Sequence, residues 1–93
     1  MLAATFDPHG RRVELSFAAW AHIRSDHPEL TRSQRTVMAA VREPELHTAG
    51  RQPGEEWFFA EWRRPGLWMQ VVVHYEGDSG WIVTAFPRGS LPR

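Results

Sequence analysis

The run Leu67-Trp68-Met69-Gln70-Val71-Val72-Val73-His74-Tyr75 constrains this chain most. Alternate side chains of a strand point to opposite faces, which sets Leu67, Met69, Val71, Val73 and Tyr75 on one side and Trp68, Gln70, Val72 and His74 on the other. β-Branched and aromatic residues dominate, so the segment reads as the central strand of a sheet. Its neighbours are legible in the same way. Trp57-Phe58-Phe59-Ala60-Glu61-Trp62 is aromatic and β-prone, and Arg63-Arg64-Pro65-Gly66 is a turn. Glu76-Gly77-Asp78-Ser79-Gly80 then turns the chain into Trp81. With a short strand at Leu46-His47-Thr48, the expected strands are residues 46–49, 56–62, 67–75 and 81–86. Short connections favour antiparallel neighbours, because a parallel crossover needs about a dozen residues or more.

Two helices are expected before this sheet. Ser16 is placed to accept from the free N–H groups at the start of a helix over 17–27, and Pro28 stops that helix. Phe17, Trp20, Ala21 and Arg24 recur at helical spacing, with Ala19, Ile23 and His27 as an adjoining stripe. A second helix runs from Thr31 or Ser33 to Glu43, buries Val37, Met38, Ala40 and Val41, and ends at Pro44. Asp7-Pro8-His9-Gly10 is a turn between residues 1–6, a candidate edge strand, and the alternating Arg12-Val13-Glu14-Leu15. The fold class expected is α+β: two N-terminal helices on a four-stranded antiparallel meander, with room for a fifth and a sixth strand.

A chain of 93 residues makes one domain, with a core over about 12–88 and an irregular tail at 89–93. Hydrophobic residues make up 42%, with five Trp and five Phe, which is enough to fill that core and argues against disorder. With no Cys there is neither a disulfide framework nor a thiolate site. Residues 1–12 lack a basic segment followed by an apolar run, and no stretch approaches a membrane span, so cytoplasmic residence without membrane association is expected. Eleven basic residues balance eleven acidic ones, which counts against generic DNA binding. All eleven are Arg, the better group for bidentate phosphate contact and for stacking on bases, although base composition of the genome produces the same bias.

His27 is the first candidate for chemistry. Pro28 fixes it at a helix end, and imidazole can take a proton from a ribose 2′-OH or return one to a leaving 5′-oxygen; the structural reading is a helix cap. His22 and His27 point about 140° apart on a helix and cannot share a metal. His22 and Asp26 share a face as a surface pair, so no metal and no cofactor are expected. Arg51, Arg63 and Arg64 lie in loops near Trp57, Trp62 and Trp68, an arrangement suited to single-stranded RNA unless the Trp residues fill the core. Thr84 interrupts an apolar strand, and with Arg88 beyond it could bind a phosphate. His74 is a candidate second acid or base. No Ser sits in a nucleophile turn, and the glycines lack a phosphate-loop spacing.

The ordered set His27-Pro28-Glu29-Leu30, Pro44, Arg51, Glu55-Glu56-Trp57, Val71-Val72-Val73 and Ile82-Val83-Thr84-Ala85-Phe86-Pro87 resembles the small bacterial and phage members of the barnase, EndoU, colicin and RelE-like ribonuclease superfamily. The likeness spans about residues 13–88 through short degenerate motifs. It implies two helices on a four-stranded antiparallel sheet and RNA cleavage without a metal, often by a toxin under the control of an antitoxin or other partner protein. By position it assigns proton exchange to His27, countering of developing negative charge to Arg51 and phosphate positioning to Thr84. Arg63, Trp68, His74 and Arg88 are then the expected substrate-binding residues. The central strand carries Gln70 where many relatives carry a basic side chain, and the net charge is zero where toxin nucleases are commonly basic. The alternative function is an inactive relative serving as a protein-interaction module or a homodimer, built on an exposed Trp patch.

Overall fold

The computed structural model describes residues 1–92. Its elements are β1 (Ala3–Phe6), β2 (Arg12–Leu15), α1 (Phe17–Asp26), a 3-10 turn (Pro28–Leu30), α2 (Gln34–Arg42), β3 (Leu46–Ala49), β4 (Glu55–Trp62), β5 (Arg64–Glu76) and β6 (Ser79–Arg88). Residues 89–92 carry no helix or strand, and Arg93, the end of the expected tail, lies outside the described residues.

Local chemistry accounts for most of these boundaries. The Ser16 hydroxyl accepts from the Ala19 N–H at 3.0 Å and caps α1, which ends one residue before His27-Pro28. In α2 the buried residues are Val37, Met38, Ala40 and Val41, the stripe that the helical spacing marks out. Ser33 does not cap α2 with its side chain; its hydroxyl accepts instead from Trp62 Nε1 at 3.0 Å and ties the helix to β4. In α1, Trp20 and Ile23 are buried while Phe17 is exposed, so the buried line crosses the two stripes expected.

The sheet corrects the expected architecture. It has six strands in the order β1-β2-β6-β5-β4-β3, and β2 runs parallel to β6 through Arg12↔Ser79, Val13↔Gly80 and Glu14↔Trp81. The sheet is therefore mixed rather than an antiparallel meander, and the helices sit mid-chain between β2 and β3 rather than first. The length rule governs strands that follow one another, and β3 to β6 do pair antiparallel in sequence order. β2 and β6 are separated by both helices and three strands, so that rule places no limit on their direction.

Both helices pack on one face. Trp20, Ile23, Leu30, Val37 and Val41 join Val13, Leu15, Phe58, Met69, Val71, Val73, Ile82 and Ala85 in a single core. Gly80 lies opposite Tyr75 at a crowded point of this face. An added Cβ would stand 2.7 Å from Tyr75 Cδ1 and 2.9 Å from Val73 Cγ1. Gly80→Ala is accordingly expected to cost about 1–3 kcal/mol through overpacking, read as a lower midpoint in urea unfolding.

Candidate functional site

Two polar arrangements stand out, and they differ in whether their groups are already satisfied. The first closes the helix-covered face at the β1–β2 end. Asp7 lies in the turn after β1, where its Oδ1 accepts from the His9 and Arg11 N–H groups at 2.9 and 3.0 Å. Its Oδ2 accepts from Arg11 Nε at 2.8 Å and from the Tyr75 hydroxyl at 2.7 Å. Arg11 reaches on to β4 and donates both terminal nitrogens to Glu56 at 2.8 and 2.7 Å, with its guanidinium 3.6 Å from the Tyr75 ring centre. His47 of β3 bonds Glu56 at 2.6 Å and stacks on Phe58. Burial pushes the Asp7 carboxyl up, yet the hydrogen bonds from Tyr75, Arg11 and His9 and the Arg11 charge hold it below its ordinary value. The Arg11 hydrogen bonds likewise hold Glu56 low against its burial, with His47 assisting. Burial and the Asp7 hydrogen bond raise the Tyr75 phenol. Every member has its partner, so the network is a clamp holding the β1–β2 turn to β4 and β5.

The second arrangement lies on the opposite face of the sheet, which carries no helix among the described residues. A hollow of about 450 Å³ is lined by Arg51, Trp57, Gln70, Val72, Phe86 and Arg88. The register explains the gathering: Trp57 pairs with Val72, Gln70 with Phe86, and Trp68 with Arg88, so alternate residues of β4, β5 and β6 surface together. Phe59 is fully buried beneath them, with Trp57 edge-on at 6.5 Å and the Arg88 guanidinium 5.8 Å from its ring centre. Arg88 donates to Gln70 Oε1 at 2.8 Å, and Arg51, in the loop after β3, holds its guanidinium 6.0 Å from the Trp57 ring. Among the described residues the arginine ion pairs involve Arg11, Arg12 and Arg42. Among these residues, neither Arg51 nor Arg88 has an ion pair; the Glu55 carboxylate accepts instead from the Arg51 backbone N–H at 2.9 Å and from Trp57 Nε1 at 2.8 Å.

His27 stands at the margin of this hollow. β2 pairs with β6 only as far as Trp81, which leaves the later part of β6 with a free edge, and α1 packs against β6. The end of α1 thereby brings the His27 ring to 6.1 Å from Phe86. Its backbone N–H, not its side chain, caps the helix by donating to the Ile23 carbonyl at 2.8 Å, and its Nδ1 lies 3.8 Å from Glu29 Oε2.

The remaining expected residues divide. Trp68 adjoins Arg88 on the same face and is half-buried. Thr84, opposite Val72, is on that face but does not line the hollow. Arg63 is elsewhere: it takes a positive φ of 68°, stacks on Trp62 and donates to the Glu29 carbonyl. His74 packs against Trp81 near the other end of β5. Trp62, expected as a stacking surface, is in the core. Of Trp57, Trp62, Trp68 and Trp81, the most open is Trp81, at 43%. Phe86 and Gln70 were not marked as site residues by spacing, since neither type signals chemistry until its cross-strand neighbours are known. His22 and Asp26 form the expected surface pair at 3.1 Å. Among the described residues no three His, Asp or Glu are grouped to hold a metal, and no helix is long and apolar enough to cross a membrane.

The chemistry of the site is that of an aromatic hollow on a sheet face whose lining includes two guanidinium groups without an ion pair among the described residues. Comparison with known proteins finds no matching family model, no matching curated protein and no matching solved structure.

Proposed function

We propose that this domain binds single-stranded RNA across the helix-free face of its sheet and cleaves it without a metal. The observation that carries the proposal is that Arg51 and Arg88, neither in an ion pair among the described residues, line one hollow with the Trp57 and Phe86 rings. Guanidinium groups suit phosphate oxygens, and aromatic rings accept an unstacked base. A volume of about 450 Å³ also falls in the range of small-ligand sites. In cleavage the ribose 2′-oxygen bonds to the adjacent phosphorus and the bond to the 5′-oxygen breaks, leaving a 2′,3′-cyclic phosphate and a 5′-hydroxyl. His27 exchanges the protons, and the guanidinium groups counter the charge on the phosphorane. With zero net charge there is no global pull on RNA, so attraction has to come from local arginines such as this pair.

A second reading is binding without cleavage. It is favoured by the composition of the hollow, whose lining has no imidazole or carboxylate; His27 is one ring beyond it.

The test is anisotropy of a labelled eight-nucleotide RNA across a salt series. Two phosphate contacts predict a slope of log K on log salt of about −1.4 for a single strand. Arg51→Ala and Arg88→Ala are each expected to weaken binding about tenfold and to reduce that slope by about 0.7. Wild-type affinity in the double variant would remove the proposal. Product analysis in the presence of a chelator separates cleavage from binding alone.

A further inference from the structure

Gln70 occupies the centre of the hollow floor, at the middle of β5, and is only 2% exposed. A buried amide normally satisfies both of its ends. Here the carbonyl end is taken by Arg88, at 2.8 Å. That contact also fixes which way the amide is turned, because a guanidinium has donors only and so must face the oxygen. The Nε2 end has no protein acceptor among the described residues, and since no described buried side-chain atom lacks a partner, the small exposed part of Gln70 is this end, open to the hollow that the side chain lines.

An unpartnered donor pair in an otherwise apolar floor calls for an acceptor on the ligand. In that reading the phosphate is met by Arg51 and Arg88. What remains for Gln70 is the edge of the base seated against Trp57 and Phe86. Resting on the RNA-binding reading above, we infer that Gln70 is the specificity-determining residue of this site, selecting a base that presents a carbonyl oxygen over one that presents an exocyclic amine at the same position. Uracil against cytosine is the cleanest comparison, since the two rings match in size and differ at position 4 in acceptor against donor. Cytosine would direct its amine at the Gln70 N–H groups and leave both sides without an acceptor. A site built to hydrogen-bond one group rejects the analogue that lacks it more strongly than an apolar pocket rejects a change of shape.

The pairing with Arg88 is part of the device. Without it the amide could rotate by half a turn and offer its oxygen instead, and the selection would vanish.

The experiment is the affinity of the full chain for labelled U8 and C8 RNA at one salt concentration, by anisotropy, for wild type and for Gln70→Met, with Gln70→Glu as a second variant. Wild type is expected to bind U8 about tenfold more tightly than C8. Gln70→Met keeps the volume and loses the donors, so the U8-to-C8 ratio should fall to near one, loss of the Arg88 contact acting on both affinities alike. Gln70→Glu keeps the Arg88 contact but turns an acceptor to the hollow, and should bring the U8-to-C8 ratio to one or below. Equal binding of U8 and C8 by the wild type overturns the inference while leaving the RNA-binding reading intact. Retention of the wild-type preference in Gln70→Met also overturns it. Binding of neither RNA removes both.

Discussion

Arg11→Met is expected to destabilise the protein by about 3 kcal/mol at neutral pH, the scale for breaking a partly buried ion pair by removing one partner. For a chain of this size that is a fall in Tm on the order of 10–20 °C. Arg11 joins two carboxylates, the fully buried Asp7 and the partly buried Glu56, and its loss leaves them, among the described residues, with His47 alone for Glu56 and no cationic partner for Asp7. The cost should depend on pH in a defined direction. Both carboxyls titrate below their ordinary values in the folded protein, so their stabilisation is present above about pH 4 and is lost as pH falls through the folded values. The Arg11→Met variant lacks part of that stabilisation from the outset. Its deficit relative to wild type should shrink as pH is lowered through this window. The double variant R11M/E56M should recover part of the loss at neutral pH, because most of the cost lies in the abandoned carboxylate. Urea unfolding at pH 7, 5 and 3 measures all three quantities, and a deficit that is the same at each pH would argue that Arg11 acts by packing on Tyr75 alone.

The clamp also shows where sequence reasoning stops. A turn at Asp7-Pro8-His9-Gly10 is legible, since Gly10 takes a φ of 81° and the Asp7 carbonyl accepts from its N–H. That the same aspartate would meet Tyr75, 68 residues away, depends on β1, β2 and β6 lying side by side. The Ser16 cap of α1 and the α2 stripe were readable because their causes lie within a few residues. The parallel β2–β6 pair was not, because nothing in Arg12-Val13-Glu14-Leu15 specifies which strand it will join or in which direction. The same limit applies to the site. Arg51, Arg88 and His27 could be nominated from residue type and position, and two of them line one hollow with the third at its edge. Arg63 could not be told apart from them, since a turn arginine gives no sign that it will fold back onto Trp62 and the Glu29 carbonyl. Gln70 looked like the loss of a basic group. In the sheet, β6 supplies a guanidinium to the same place through Arg88, and the glutamine holds it.

The cleavage reading stands or falls on His27. Imidazole is the side chain that changes charge between about pH 5 and 8, so it can accept the 2′-OH proton and then give one to the 5′-oxygen. Its removal should lower the cleavage rate by about 10²–10⁴-fold, the range for a positioned general acid or base. RNA affinity should change by no more than about threefold, because the hollow lining and its two guanidinium groups remain. The helix itself should survive, since the cap is made by the backbone N–H of position 27, which any residue but proline supplies. His27→Phe sharpens the comparison with His27→Ala. A phenyl ring can keep the contact on Phe86 while carrying no proton, so a structural role would be restored by Phe and a chemical one would not. Single-turnover cleavage of a uridine-containing RNA, measured with chelator, should be seen for wild type and lost from both variants. Wild-type rates in His27→Phe would sink the catalytic assignment. If wild type binds RNA as tightly as expected and cuts none of it, the sheet face is a binding surface, and the Arg51 and Arg88 predictions hold unchanged.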